Sequence, residues 1–396
     1  MKSAPLRSFF NPEMSLLSLI LFLVEFVRGA ALISFLPIYG KDTLGLELDV
    51  IGVAITAHYL VDTALKLGIG YLMHRFAVRT IISVGLLASL LGIFLIGYAD
   101  VPWMFIAASG LYGLGISPIW IYCLTKVREE GRGAQMGFLY TIWLVGLGAG
   151  PVVMNLLLER SESLSYWVMV IGSGVACLLS FLIPAESHAD VETVPFRRQL
   201  AVLGSHLSEM KPLLPGMVMQ TLAAGMLQPI LPSFAKEHLG MSPTQYSILL
   251  FIGGGCTVAG LIPMGRLSDS LGKKWFLVAG FLIFGIALYG LTMHPVLGVA
   301  LTWALVLGLS YAAVLPAWNA LLAAYVPPGQ KGLGWGVLST VEGIGGLLGP
   351  GIGGLIATAN GEPSVVIAAS VIFAVISFIY LLFPFRLFRG ERRTPS

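Results

Sequence analysis

Apolar residues dominate this chain in long runs, and polar residues collect in short clusters between them. Breaking the sequence at its Gly, Pro and charge clusters leaves twelve apolar stretches, each long enough to cross a hydrocarbon core that needs about 20 helical residues. They fall at 14–40, 49–73, 79–99, 102–126, 134–159 and 165–184, then at 212–238, 244–267, 274–293, 296–325, 333–358 and 364–388. The pattern predicts an all-α membrane protein of twelve transmembrane helices in two six-helix bundles. Domain boundaries follow: an N-terminal bundle over 1–190, a cytoplasmic linker over 191–211 and a C-terminal bundle over 212–396.

Composition agrees with this pattern. Of 396 residues, 57% are hydrophobic and 11% charged, against roughly 25% charged in a soluble domain. Only short loops, the linker and two tails remain outside the stretches, which leaves no room for a separate catalytic or nucleic-acid-binding domain. Cys123, Cys177 and Cys256 lie inside apolar stretches and read as core thiols, with neither a disulfide framework nor metal-ligand spacing.

The distribution of charge says more than its net value of +3. Eighteen of the 23 Lys and Arg fall in the tails and in the loops after even-numbered spans. Lys41, Arg160 and Lys236 fall opposite, and Arg28 and Lys66 lie within spans. The positive-inside rule therefore predicts a multi-pass protein of the cell membrane with both termini in the cytoplasm. The first span follows Lys2 and Arg7, exceeds a signal-peptide core and has no small-residue cleavage site behind it, so it is expected to be retained.

The two halves echo each other at a spacing of about 195 to 199 residues, as expected of a transporter built from parallel repeats. Gly70-Tyr-Leu-Met-His74-Arg75-Phe-Ala77-Val-Arg79 after span 2 is matched by Gly265-Arg-Leu-Ser-Asp269-Ser-Leu-Gly272-Lys273-Lys274 after span 8. Ser117-Pro118-Ile-Trp120 in span 4 is matched by Leu315-Pro316-Ala-Trp318 in span 10. Gly146-x3-Gly150-Pro151 in span 5 is matched by Gly345-x3-Gly349-Pro350 in span 11. The linker, from Pro195 through Arg197 and Arg198 to Met210, is basic and partly amphipathic, suited to lying on a membrane face.

On these motifs the whole chain resembles the major facilitator superfamily. The family's loop signature, Gly-x3-Asp-Arg-x-Gly-Arg-Lys/Arg, is well matched after span 8 and departs after span 2, with His74 for Asp and Ala77 for Gly. The Gly-Pro motif of span 5 resembles that of the antiporter branch, with Met154-Asn155 in place of its final Gly-Gly. The resemblance implies a cytoplasmic gate built from Arg75, Arg79, Asp269, Lys273 and Lys274, which pair with helix ends in one state and release them in the other.

Charges inside the bilayer are the next signal, because each costs roughly 2.5 to 3.5 kcal/mol on insertion scales and needs a partner, a cavity or a function. Span 1 carries Glu25 and Arg28, three apart and able to pair. Span 2 carries His58, Asp62 and Lys66, each four apart, a polar stripe down an apolar helix. One reading makes these satisfied ion pairs that fix helix packing. The other makes a carboxylate of the set, Asp62 first and Glu25 second, accept a proton from one side and release it to the other. His58 is then a relay or a hydrogen-bond partner of Asp62, and Arg28 is the counter-ion. Lys66 either snorkels or takes a role. In the second half only Glu342 compares; it occupies the repeat position of Trp143 and either lines a cavity or faces a polar neighbour.

Trp120, Tyr122, Tyr140 and Trp143 join the charges of the first half, and aromatic faces with polar edges suit a sugar. Spans 7, 8, 10 and 11 add little beyond Gln220, Gln228, Trp318, Asn319 and Glu342. A cavity polar on one wall and apolar on the other is expected to take an amphiphile.

A narrower resemblance rests on Leu-Val-Glu25-Phe-Val-Arg28-Gly29, His58-Tyr-Leu-Val-Asp62, Gly115-Ile-Ser-Pro118-Ile-Trp120, Gly131-Arg132-Gly133-Ala-Gln135-Met136-Gly137 followed by Trp143, and Leu315-Pro316-Ala-Trp318-Asn319. These strings look like the lipoteichoic-acid glycolipid-anchor flippases of Gram-positive bacteria. The resemblance implies proton-coupled movement of diglucosyl-diacylglycerol from the inner to the outer leaflet, with no cofactor beyond the proton gradient and no metal. It implies that Glu25, Arg28 and Asp62 serve coupling and headgroup contacts, that Trp120 and Trp143 meet the disaccharide, and that lipoteichoic-acid synthesis enzymes are candidate partners. Tyr140, Asn319, Glu342 and Lys66 complete the candidate substrate contacts. Lys66 and Glu342 depart from the family, where a neutral residue and an amide are expected.

The rival reading is a multidrug:proton antiporter of the same superfamily, with a soluble-metabolite porter below it. A membrane enzyme would need an acidic cluster or nucleotide site that these short loops do not offer, so no enzymatic activity is expected. Gly343-Ile-Gly345-Gly346-Leu-Leu-Gly349 superficially resembles a phosphate loop, but no strand precedes it, and close helix packing explains it better. The basic loops are what the orientation rule requires, so nucleic acid is not an expected partner.

Overall fold

The computed structural model describes residues 11–126, 132–184, 211–325 and 331–389. Every regular element among them is helical. The chain divides into two compact units, Met1–Thr193 and Val194–Ser396.

The N-terminal unit holds α1 (Pro12–Thr43), α2 (Leu48–Arg75), α3 (Val78–Ile96), α4 (Pro102–Thr125), α5 (Arg132–Leu158) and α6 (Glu162–Ser180). The C-terminal unit holds α7 (Leu214–Leu227), α8 (Pro243–Leu271), α9 (Lys273–Leu291), α10 (Leu297–Tyr325), α11 (Lys331–Asn360), α12 (Glu362–Leu382) and the short α13 (Phe385–Arg389). Among the described residues, eleven stretches are long and apolar enough to span a bilayer. The twelfth, α7, is shorter because span 7 is not one continuous helix. After Leu227 the chain makes a turn through Gln228–Ile230 and resumes as Leu231–Ser233 and the π-helical Phe234–His238. Pro229 and Pro232 are the cause, since neither can donate a helical N–H and each disfavours helical backbone in the residue before it. The linker lies outside the described residues.

Helix starts follow their sequence. Asn11 caps α1 through a 2.7 Å bond from the Met14 N–H, with Pro12 in the first turn. Ser242 and Gln245 form a reciprocal capping box at α8, again with Pro in the first turn, where its missing N–H costs nothing.

Packing repeats between the units. In the first, α1 lies on α5 and α6, α4 on α2 and α3, and α3 on α6; in the second, α7 lies on α11 and α12, α10 on α8 and α9, and α9 on α12. The Gly-Pro motifs explain a close contact in each unit. Pro151 lacks the N–H that would bond Leu147 O, and Gly29 of α1 sits directly against that freed carbonyl, where a Cβ would collide. Gly225 of α7 packs less tightly on the matching place in α11, its Cβ position 3.2 Å from Pro350 Cδ and 3.4 Å from the freed Gly346 O. The glycine-rich run of α11 is thus a helix-packing surface, with Gly345 and Gly349 pressed on the α7 backbone.

The ends of span 1 and span 7 match in hydrogen bonding as well. Both finish in a π-helical turn, Tyr39–Thr43 and Phe234–His238. Leu44 N–H bonds Tyr39 O and Leu239 N–H bonds Phe234 O, at 3.0 and 3.1 Å. The next residue is Gly45 or Gly240, with φ +65° or +63°, a conformation that favours glycine.

Outer helix faces carry large exposed apolar side chains, among them Leu178, Ile262 and Phe251. Polar contacts turn inward: Ser83 with Ser180 at 2.8 Å, Ser370 to Gly285 O at 2.8 Å and Ser377 to Val278 O at 2.7 Å. This is the arrangement a lipid solvent imposes, and the protein is a multi-pass membrane protein.

Candidate functional site

The charged groups of the N-terminal unit gather where α1, α2, α4 and α5 meet. Glu25 and Arg28 are both buried and form an ion pair of 2.5 Å. Gly146 of α5 faces this pair; a Cβ there would stand 3.0 Å from that of Glu25. The Arg28 guanidinium lies over the Trp143 ring, 5.8 Å from its centroid, a cation–π contact. Trp143, Trp120 and Tyr140 form a triangle of rings, with centroids 6.4 Å apart between the two tryptophans, 5.3 Å between Trp120 and Tyr140, and 6.4 Å between Tyr140 and Trp143. Tyr140 is 42% exposed, so one edge of the triangle is accessible.

A change of helix type in α4 positions the second group. Its α-helix runs Pro102–Tyr112, tightens to 3₁₀ over Gly113–Gly115 and resumes over Ile116–Thr125. Pro118 supplies no N–H to this turn, and Gly113 packs directly on the His58 backbone of α2. The Ser117 hydroxyl thereby donates to Asp62 Oδ1, while Lys66 Nζ reaches Asp62 Oδ2 at 2.6 Å. Asp62 is buried and the Lys66 side chain is 43% exposed.

His58 shares the stripe with Asp62 but is not hydrogen-bonded to it. Its ring lies 4.8 Å from that of Tyr112 and meets Tyr59 edge-on at 5.4 Å. Neither of its nitrogens completes a hydrogen bond among the described residues. A water-sized void beside Tyr112, bounded by Val24, Ser89 and Ser173, is far too small for a headgroup.

In the C-terminal unit, Trp318 Nε1–H of α10 donates to Glu342 Oε1 of α11 at 2.6 Å. Trp318 is buried and stacks on Tyr380 of α12 at 6.2 Å. Asn319, next in the chain, is exposed. The polar neighbour of Glu342 is therefore the indole of the span-10 repeat motif.

The loop-motif residues separate. Lys274 is buried at the end of α12, donating to Leu381 O at 2.9 Å and Phe383 O at 2.6 Å, with Phe385 4.4 Å away as a cation–π partner. Lys273 donates to Ala320 O of α10 at 3.2 Å. Asp269 is exposed, and neither it nor Arg79 forms an ion pair with a described residue. The Arg75 side chain lies outside the described residues.

Sequence reasoning missed three partners. Ser117 stands out as part of a repeat motif, but its bond to Asp62 needs the kink of α4. The Trp318–Glu342 bond joins two spans with no pattern linking them. The clasp at the start of α1, where Lys126 pairs with Glu13 at 2.7 Å and Tyr122 donates to it at 3.0 Å, joins residues from separate helix ends. Among the described residues no three His, Cys, Asp or Glu gather as metal ligands.

Comparison with known proteins settles the family. The sequence profile of the Major Facilitator Superfamily matches twice, over residues 17–213 and 213–396. The chain belongs to this superfamily. As a major facilitator it is an all-α protein of the twelve-helix type, and the double match coincides with its two packed repeats. It is 30% identical over 388 residues to the proton-coupled antiporter flippase LtaA of Staphylococcus haemolyticus, covering 96% of each chain. It is 31% identical over 353 residues to LtaA of Staphylococcus epidermidis, covering 87% of this chain and 88% of the relative. Among solved structures, the nucleoside transporter NupG in its D323A form superposes with a TM-score of 0.76 at 14% identity, over 93% of this chain and 98% of that one. The human organic anion transporter MFSD10 superposes at 0.65 with 16% identity, over 93% of this chain and all of that one. At such identities the structural matches establish the fold alone.

Proposed function

We propose that this major facilitator is a proton-coupled flippase that moves a glycolipid, diglucosyl-diacylglycerol, from the inner to the outer leaflet of the plasma membrane, where it anchors lipoteichoic acid. The observation that carries the reading is the Arg28 guanidinium, paired to Glu25 and lying over Trp143 at the edge of the Trp120–Tyr140 triangle. A buried cation beside aromatic faces provides donors and stacking surfaces for a sugar headgroup. The relatives named proton-coupled antiporter flippase, similar over nearly the full length, support the coupling.

In this reading Asp62 and Glu25 are the coupling carboxylates. Asp62 exchanges its Lys66 and Ser117 partners for a proton as its side of the membrane changes, and Arg28 holds the headgroup while Glu25 is protonated. His58 packs the stripe against Tyr112. The proton gradient is the only energy source, and alternating access exposes the site to each leaflet in turn. Both termini lie in the cytoplasm, as the charge distribution requires, and lipoteichoic-acid synthesis enzymes would receive the product.

The test uses purified protein in liposomes carrying fluorescent diglucosyl-diacylglycerol, with leaflet exchange followed with and without a pH gradient for wild type and Asp62→Asn. The expected result is gradient-accelerated exchange in the wild type and none in the variant. Extrusion of cationic dyes with the glycolipid left in place would replace this reading with that of a multidrug:proton antiporter.

A further inference from the structure

The buried carboxylates of the N-terminal unit each have a cation. Glu25 has Arg28, and Asp62 has Lys66 together with the Ser117 hydroxyl. Glu13, at the helix end, has Lys126. Glu342 differs. It sits within the apolar span of α11, neither fully buried nor exposed, and no described residue pairs with it as a cation. What surrounds it can be named element by element. From α10 come the Trp318 indole, 2.6 Å from Oε1, and the Tyr311 phenol. From α12 comes Tyr380, stacked on Trp318 and within electrostatic reach. From α7 comes the Thr221 hydroxyl, which bonds the Glu342 backbone carbonyl at 2.7 Å and leaves the carboxylate alone.

One neutral N–H donor does not replace a counter-ion for a charge held in hydrocarbon, where the insertion cost quoted above applies. The same carboxyl as a neutral acid keeps the indole bond through its carbonyl oxygen and carries no net charge.

We propose that Glu342 is a proton-binding site in the C-terminal unit, separate from the charged groups of α1 and α2, with the Trp318 indole as the group that registers its charge. The carboxylate takes one proton on Oε2 and becomes a carboxylic acid. When water reaches it, the proton leaves and the ionised group tightens its bond to Trp318. The chain then binds protons in both units. The place of this site in a transport cycle rests on the proposed flippase reading; its protonation does not.

The test therefore uses the full chain in lipid nanodiscs with neither substrate nor gradient. Infrared difference spectra are recorded as the pH is lowered, following the C=O band of protonated carboxylic acids, for wild type, Glu342→Gln, Glu342→Asp and the double variant Glu25→Gln with Asp62→Asn. The expected result is a titrating band that survives in the double variant and in Glu342→Asp and is lost in Glu342→Gln, with proton uptake lower by about one per chain. Trp318→Phe shifts the pH midpoint of that band. A Glu342→Gln spectrum equal to wild type at every pH, with the variant folded by thermal melting, overturns the proposal. Because no glycolipid is present, failure of the flippase assay leaves this outcome untouched, and the converse also holds.

Discussion

Lys66 Nζ stands 2.6 Å from Asp62 Oδ2, one helical turn along α2, and the Ser117 hydroxyl of α4 donates to the other carboxylate oxygen. The buried acid thus has a tethered cation on one side and a helix-borne hydroxyl on the other. Lys66 is 43% exposed but Asp62 is buried, so Lys66→Met leaves the acid with the Ser117 hydroxyl alone and ionisation of Asp62 becomes costly. The variant is expected to melt lower as the pH rises and Asp62 must ionise, and to lower gradient-driven glycolipid exchange several-fold. Loss of stability that does not vary with pH would assign Lys66 to packing alone.

Trp143 faces both Arg28 and the Trp120–Tyr140 rings. Trp143→Ala removes a stacking surface and one face of the guanidinium site, a loss of about 1 to 2 kcal/mol. In the liposome assay this corresponds to roughly a tenfold rise in the glycolipid concentration giving half-maximal rate. Trp143→Phe is expected to restore part of it. A shift in maximal rate alone would point to the conformational cycle instead of the headgroup.

Gly150 lies against Phe26 O and Ala30 N of α1, with no space for a Cβ. Gly150→Val must push α1 away from α5, which costs about 1 to 3 kcal/mol as overpacking and disturbs the nearby Glu25–Arg28 pair. Thermal melting in detergent followed by size exclusion would read the loss. Gly148, with open space around it, is the control position: Gly148→Ala should melt as wild type does.

Lys274 satisfies the last carbonyls of α12 from a buried position. Lys274→Met strands Leu381 O and Phe383 O, at about 1 to 3 kcal/mol. The measurement is the melting temperature, expected to fall, with Lys274→Arg recovering part of the loss. Unaltered melting with transport abolished would show that this lysine acts in gating and not in capping.

Much of the architecture is legible in the sequence because a bilayer imposes a one-dimensional rule: long apolar runs, charges at their ends, and a repeat that can be seen by aligning the halves. The stripe of His58, Asp62 and Lys66 is readable for the same reason, since helical spacing fixes which side chains share a face. The limits appear where partners come from different helices. The bond between Trp318 and Glu342 depends on how α10 and α11 are rotated, and no spacing encodes it. His58 illustrates the other limit: four residues from Asp62 it could bond it, but its ring lies against Tyr112 of α4 instead. Pro229 and Pro232 mark the break in span 7, but the hydrophobic run continues across them and hides it.

The paired π-helical turns at Tyr39–Thr43 and Phe234–His238 have an evolutionary reading. A π-turn carries one residue more than the α-helix around it, and here it is followed in both halves by Leu and then Gly at the same offset. Two independent insertions would have to strike the same register and then recruit the same left-handed glycine. A single insertion in a six-helix ancestor, copied when its gene doubled, needs one event. One event then accounts for both turns and for the left-handed glycine that closes each.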